Sequence, residues 1–76
     1  MHEKTSWVTK PIELTSRQYD VLRLLAEGRS TAEIATELGL STTTVRNYIA
    51  NVLSALGVHT RLQAVVAARK AGLIDL

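Results

Sequence analysis

Residues 41–47 of the chain, STTTVRN, combine hydroxyl, guanidinium and amide side chains that together could bind a nucleic acid. At the start of a helix, hydroxyl groups and free backbone N–H groups bind phosphate oxygens, and the positive end of the helix dipole favours this interaction. The guanidinium of Arg46 could pair with O6 and N7 of guanine, and the amide of Asn47 with N6 and N7 of adenine. Threonine is a poor helix former, and three threonines lie together in one turn. Some interaction must therefore offset their cost to the stability of the helix. We expect phosphate to provide it.

Signals for four helices surround this run. A capping box, in which a hydroxyl residue is followed three positions later by Glu or Gln, occurs at residues 15–18, 30–33 and 60–63. Ser41 provides a fourth N-cap, and glycine, which adopts the left-handed conformation at no steric cost, follows each segment. Strand-like alternation is absent, so the predicted fold class is all-α. The four helices are predicted near residues 16–27, 31–38, 42–56 and 61–71.

The third predicted helix is apolar on one side and polar on the other. Its apolar residues recur at helical spacing and should face the core: Val45, Ile49, Val52, Leu53 and Leu56. The opposite face contains no Glu or Lys, which an ordinary solvent-exposed face would use for ion pairs. Only residues 39–41 separate helices 2 and 3, so these helices must cross steeply, and we predict a four-helix helix-turn-helix bundle. The residues predicted to contact DNA are Thr42, Thr43, Thr44, Arg46, Asn47, Ala50 and Asn51.

The composition fits one small domain and argues against several other classes of protein. The chain has 76 residues, of which 46% are hydrophobic, but it has a single Trp, two Tyr and no Phe. The core must therefore be aliphatic, and in helix 1 we expect it to include Val21, Leu22, Leu25 and Ala26. The absence of cysteine excludes disulfides and thiolate metal sites and fits a reducing cytoplasm. No apolar run approaches the roughly 20 residues that a membrane span needs.

Charge is distributed unevenly along the chain. The net charge is only +2, but no acid lies between Leu38 and Ile74, a stretch that contains four cationic residues. This half of the chain therefore favours an anionic partner. The two histidines, His2 and His59, lie far apart and do not form the pattern of a metal site or of a nucleophile–base pair. We therefore predict no catalytic, cofactor or metal site and no enzymatic activity.

Five short motifs occur in order within residues 14–73, a region that matches a known family without gaps. LTSR begins helix 1, LAEGRS lies between helices 1 and 2, EIATELGLSTTTV spans the turn, LGV follows helix 3, and RLQAV lies in helix 4. By these motifs residues 14–73 resemble the LuxR-type (GerE/NarL-like) DNA-binding domain. The resemblance implies that residues 30–49 form the helix-turn-helix motif, that helix 3 enters the major groove and that helix 4 mediates dimerisation. It also implies a receiver or ligand-sensing domain on the N-terminal side of the full regulator. The family usually has Glu where this chain has Gln18.

Helix 4 is apolar on two sides, which is more than a small core requires. By resemblance Ala64, Val65 and Ala68 point inward. The other side is then available as a homodimer interface, for which the candidate residues are Leu62, Val66 and Arg69. Alternatively, the core and the N-terminal arm cover both apolar sides.

We predict two regions in the chain. Residues 1–14 form an arm or linker, in which Trp7 or Ile12 could be anchored on the domain, and residues 15–76 form the DNA-binding domain. The predicted function is sequence-specific binding of double-stranded DNA as the output domain of a bacterial transcriptional regulator, in the cytoplasm at the nucleoid. The alternative is a protein-interaction module in which helix 3 docks on RNA polymerase or on a sensor domain. Such a surface would normally display large apolar or aromatic anchors, which this face of helix 3 lacks.

Overall fold

A computed structural model describes residues 12–75 of the chain. This range folds into four α-helices and contains no strand, which confirms the predicted all-α class. The helices are α1 (Ser16–Ala26), α2 (Thr31–Leu38), α3 (Thr42–Leu56) and α4 (Arg61–Lys70). Both α1 and α4 end one residue earlier than predicted, because Glu27 and Ala71 serve as C-caps. None of these four helices is long and apolar enough to cross a membrane.

Capping boxes begin three of the helices, as the sequence predicts. In α1, Thr15 Oγ1 accepts a hydrogen bond from the Gln18 N–H at 3.1 Å, and Gln18 Oε1 accepts one from the Thr15 N–H at 2.9 Å. The same reciprocal pair forms at residues 30–33 and at residues 60–63. Each box satisfies two backbone donors at the helix start, so the starts of α1, α2 and α4 are fixed by local side chains.

The turn between α2 and α3 depends on glycine. Gly39 has φ 68° and ψ 36°, the left-handed conformation that side chains with a Cβ adopt at a cost. In this conformation the Leu40 N–H donates to the Ala35 carbonyl at 2.9 Å, which ends α2. Ser41 then begins α3, because its Oγ accepts a hydrogen bond from the Thr44 N–H at 3.1 Å. The change of direction between the two helices is therefore completed within three residues.

Two clusters of buried residues hold the helices together, and α3 contributes to both. The smaller cluster joins Leu22, Val52 and Ala68, from α1, α3 and α4. The predicted apolar stripe of α1 is incomplete, since Leu24 is also fully buried, whereas Ala26 is only half-buried. The reason is that α2, α3 and α4 all pack against α1 and bury more of its circumference than one stripe. The larger cluster consists of Val21, Leu24, Leu25, Ile34, Ala35, Val45 and Ile49.

The segments on either side of the helical region meet at the smaller cluster. Leu14 packs against it together with Leu73 and Ile74, and Tyr19 Oη donates a hydrogen bond to the Leu73 carbonyl oxygen. Ile12 is half-buried. Trp7 and His2, like the rest of residues 1–11 and residue 76, lie outside the described residues. The prediction that Trp7 is anchored on the domain therefore stays a prediction.

Candidate nucleic-acid interface

The orientation of α3 is set by its apolar side. Val45 and Val52 are fully buried and Ile49 is 6% exposed, while Leu53 and Leu56 are half-buried. These residues pack against α1, α2 and α4, which surround one side of α3. The predicted inward stripe of α3 is thereby confirmed, and the opposite side of the helix faces outward.

We define the outer face of α3 as the exposed residues of this opposite side within residues 42–51. They are Thr42, Thr43, Arg46, Asn47, Ala50 and Asn51. Together with Thr44, which is half-buried at the edge, they are the residues predicted from the sequence to contact DNA. The structure brings all of these residues onto one side of one helix. The outer face is polar, has a single cation and is free of large apolar side chains.

The hydroxyl group of Thr44 has a local structural role. Ser41 Oγ donates a hydrogen bond to Thr44 Oγ1 at 2.9 Å and accepts one from the Thr44 backbone N–H at 3.1 Å. These two bonds stabilise the first turn of α3 and offset part of the low helix propensity of threonine. The cost of Thr44 is therefore offset in part within the chain, and its expected place near phosphate stays a prediction. Thr42 and Thr43, in contrast, project from the first turn into solvent.

The charged side chains of α1, of α2 and of the turn between them are largely paired with one another. Arg29 Nη1 lies 2.8 Å from Glu37 Oε1, Arg23 Nη1 lies 3.5 Å from Glu27 Oε2, and Arg17 Nη1 lies 3.8 Å from Asp20 Oδ2. Within residues 12–75 no ion pair includes a cation of α3 or α4. The first turn of α3 contains no acidic residue. Arg46, the cation exposed on the outer face of α3, is therefore available to an anionic partner.

The second apolar side of α4 is open to solvent among the described residues. Leu62 is 73% exposed and Val66 is 40% exposed, whereas Ala64 and Ala68 are fully buried. Val65 is half-buried on the inner side, and Arg69 is exposed. The core within residues 12–75 thus leaves the candidate dimer residues uncovered. The alternative that includes cover by the N-terminal arm involves residues 1–11, which lie outside the described range, so the dimer interface stays a prediction. Leu73, in contrast, packs on the smaller cluster and is not part of this surface.

One contact between α2 and α4 has no counterpart in the sequence-based prediction. Arg61, the first residue of α4, donates a hydrogen bond from Nη2 to Oγ1 of Thr31, the first residue of α2. Because the two residues are 30 positions apart, no local pattern could have indicated that they meet.

Comparison with known proteins agrees with this geometry. The sequence pattern of the family described as GerE, "Bacterial regulatory proteins, luxR family", matches residues 13–68. The chain is 45% identical over 76 residues to the spore germination protein GerE of Bacillus subtilis (strain 168), which covers the whole of both chains. A solved structure of the transcription factor GerE is similar to this chain with a TM-score of 0.76 and 37% identity, covering 82% of this chain and 92% of that one.

Similar domains occur in longer proteins. The transcriptional regulatory protein DesR of Bacillus subtilis is 44% identical over 59 residues, which is 78% of this chain but 30% of DesR. A structure of the VqmA dimer of Vibrio cholerae, a LuxR-type receptor solved without its target DNA, matches with a TM-score of 0.80 and 33% identity. That match covers 83% of this chain and 28% of the VqmA chain. Since the family pattern spans most of the chain, the chain belongs to the luxR family of bacterial regulatory proteins.

Proposed function

We propose that this chain binds double-stranded DNA in a sequence-specific manner, as the output domain of a bacterial transcriptional regulator, with α3 in the major groove. The observation that carries the proposal is the outer face of α3, which is exposed, free of acids and held outward by Val45, Ile49 and Val52. Membership of the luxR family supports the same function. The residues proposed to contact DNA are Thr42, Thr43, Thr44, Arg46, Asn47, Ala50 and Asn51.

The side chains of the outer face fit distinct parts of a duplex. The major groove is about 12 Å wide and admits a helix, and the small side chain of Ala50 in the middle of the face permits close approach. Arg46 and Asn47 present donors and acceptors that match base edges. Thr42 and Thr43 lie in the first turn, where hydroxyl and backbone N–H groups bind phosphate. Base reading and backbone binding are thus assigned to successive parts of one helix.

Arg46→Ala tests the assignment of a base reader. On the preferred site, obtained by selection from random duplex DNA, we expect a loss of about 1–3 kcal/mol of binding free energy with relaxed specificity at one base pair. Fluorescence anisotropy titrations of selected and scrambled duplexes at one salt concentration measure both quantities. Arg17→Ala is the matched control, since it also removes one positive charge, but at an arginine of α1 that pairs with Asp20. An equal loss on all duplexes would show that Arg46 does not read a base.

The same titration, repeated for the unmodified chain over a series of salt concentrations, tests the class of partner. Each phosphate contact releases counterions, so log Kd should rise with log salt at a slope of roughly 0.9 per contact. Absence of salt-sensitive DNA binding would reject the proposed function. It would favour the alternative in which the outer face of α3 docks on RNA polymerase or on a sensor domain.

We further propose that two copies bind one site through the exposed side of α4, with Leu62, Val66 and Arg69 in the interface. The open apolar pair Leu62 and Val66 supports this arrangement, and VqmA, a structural relative, is a dimer. Half-sites should then be about one helical turn of DNA apart. The proposed place of action is the bacterial nucleoid. A receiver or sensor domain of a longer regulator would supply the input, as suggested by DesR, in which the matching region is 30% of the protein.

Val66→Glu tests the dimer. A charge introduced into an apolar interface should shift the equilibrium to monomers, because the carboxylate loses its hydration when the interface forms. Sedimentation equilibrium at high protein concentration, with and without the selected duplex, measures the change. Ala71→Glu adds the same charge at an exposed residue just after α4 and should leave the mass unchanged. Identical monomer behaviour of the unmodified chain and Val66→Glu would refute the dimer.

A further inference from the structure

The contact between Arg61 and Thr31 joins two helices that are otherwise apart. Both α2 and α4 pack against α1 and α3, but they do not pack against each other in the described part of the chain. Among the hydrogen bonds of residues 12–75, the bond from Arg61 Nη2 to Thr31 Oγ1 is the one that links α2 to α4. It connects their N-terminal ends, since Thr31 begins α2 and Arg61 begins α4.

The position of this bond matters because α3 belongs to two separate clusters. Through Val45 and Ile49, α3 is packed with α1 and α2 in the larger cluster. Through Val52, it is packed with Ala68 of α4 in the smaller cluster. Apolar packing has no fixed direction, and packed helices can slide slightly against each other. A directional hydrogen bond between the free ends of α2 and α4 restricts such motion.

We propose that Arg61 is a positioning residue for DNA binding. Through its bond to Thr31, Arg61 fixes the orientation of α4 relative to α2 and α3. It thereby fixes the angle at which the outer face of α3 meets the duplex. The inference rests on the proposed function. Its chemistry is a charge-assisted bond, in which the Arg61 guanidinium donates to a neutral hydroxyl. Within residues 12–75 no ion pair competes for this guanidinium. The residue after Arg61 is the exposed Leu62, so the same bond orients the proposed dimer surface.

Thr31→Val separates positioning from charge, because it removes the acceptor and leaves Arg61 intact. We expect it to weaken binding to the selected duplex about three- to tenfold, as for the loss of one hydrogen bond, with an unchanged salt slope. Arg61→Met should weaken binding at least as much. The double variant should be no weaker than Arg61→Met, since the two residues act through one bond. Thr31→Ser, which keeps the hydroxyl, is the matched control and should bind like the unmodified chain.

The orientation of α4 relative to α2 can be followed by the distance between two spin labels. The chain has no cysteine, so Thr36→Cys in α2 and Lys70→Cys in α4, both at exposed positions, can carry a pair of spin labels. The distance distribution between the labels should broaden in Thr31→Val and be restored in Thr31→Ser. Thermal denaturation verifies that each variant is folded at the temperature of the measurement.

Three results would overturn the inference. The first is wild-type affinity and an unchanged distance distribution in Thr31→Val. The second is additive losses in the double variant. The third is a decrease of about one in the slope of log Kd against log salt for Arg61→Met, with no effect of Thr31→Val on binding. This result would show that Arg61 contacts a phosphate directly. All three leave DNA binding by the unmodified chain in place, whereas its absence would reject the proposed function together with the inference.

Discussion

Ala50→Glu is expected to abolish DNA binding while the domain stays folded. Ala50 is exposed in the middle of the outer face of α3, so a glutamate there meets solvent in the free protein and keeps good helix propensity. In the major groove, however, its carboxylate would lie among phosphates and would hold the helix away from the bases. Like-charge contacts cost several kcal/mol, so we expect Kd to rise by about 100-fold or more, which corresponds to about 3 kcal/mol. Anisotropy titration of the selected duplex measures the loss.

Gln18→Glu provides the matched control for this charge change. Gln18 is the third residue of α1 and closes its capping box, and glutamate serves the same capping role. The variant therefore adds one negative charge on α1, away from the outer face of α3, without loss of a cap. Its affinity should stay within about threefold of the unmodified chain, as expected for a distant, screened charge. Equal losses in the two variants would contradict the placement of α3 at the duplex, because net charge alone would then explain both.

Leu22→Ala is expected to have the largest effect on stability. Leu22 is fully buried and belongs to the smaller cluster with Val52 and Ala68, which holds α4 to α1 and α3. Truncation of a buried leucine removes apolar contacts and leaves a cavity, at a cost of about 2–5 kcal/mol. A domain of this length has a total free energy of unfolding of about 4–11 kcal/mol, so the variant would lose a large part of it. Urea denaturation followed by circular dichroism measures the change.

Leu62→Ala is the corresponding control for stability. Leu62 is 73% exposed, and its truncation should change the free energy of unfolding by no more than about 0.5 kcal/mol. Measured at low protein concentration, this comparison separates the stability of the monomer from self-association. A loss below 1 kcal/mol in Leu22→Ala would show that the smaller cluster contributes little and that α4 is held by other contacts.

Local signals allowed much of this fold to be predicted. The capping boxes at Thr15, Ser30 and Thr60, and the N-cap at Ser41, lie within three residues of the groups they bind, so their pattern is visible in the sequence. The apolar spacing of α3 likewise determines which side faces inward and hence which residues form the outer face. The candidate site could be predicted because it lies on the side of α3 opposite the apolar stripe.

Contacts between distant residues could not be predicted in this way. Leu24 is buried in the larger cluster with residues of α2 and α3. The hydrogen bond from Tyr19 to Leu73 joins residues 54 positions apart, and that from Arg61 to Thr31 joins residues 30 positions apart. Each of these results from tertiary packing, which overrides the period of a single helix. The role of Thr44 in the cap was missed for another reason. A hydroxyl can serve a ligand or its own backbone, and its identity alone does not show which.

The unequal distribution of ion pairs has a consequence for the approach to DNA. Residues 42–70 contain four cationic and no acidic residues, whereas the carboxylates that pair with Arg17, Arg23 and Arg29 all lie in α1, in α2 or in the turn between these helices. The domain consequently has an electric dipole directed from the α1–α2 side to the α3–α4 side. In the field of a polyanion such a dipole experiences a torque that turns its positive end toward the polymer. Productive encounters are thus favoured by rotation before contact, and the rate of association should depend on how the charges are placed as well as on how many there are.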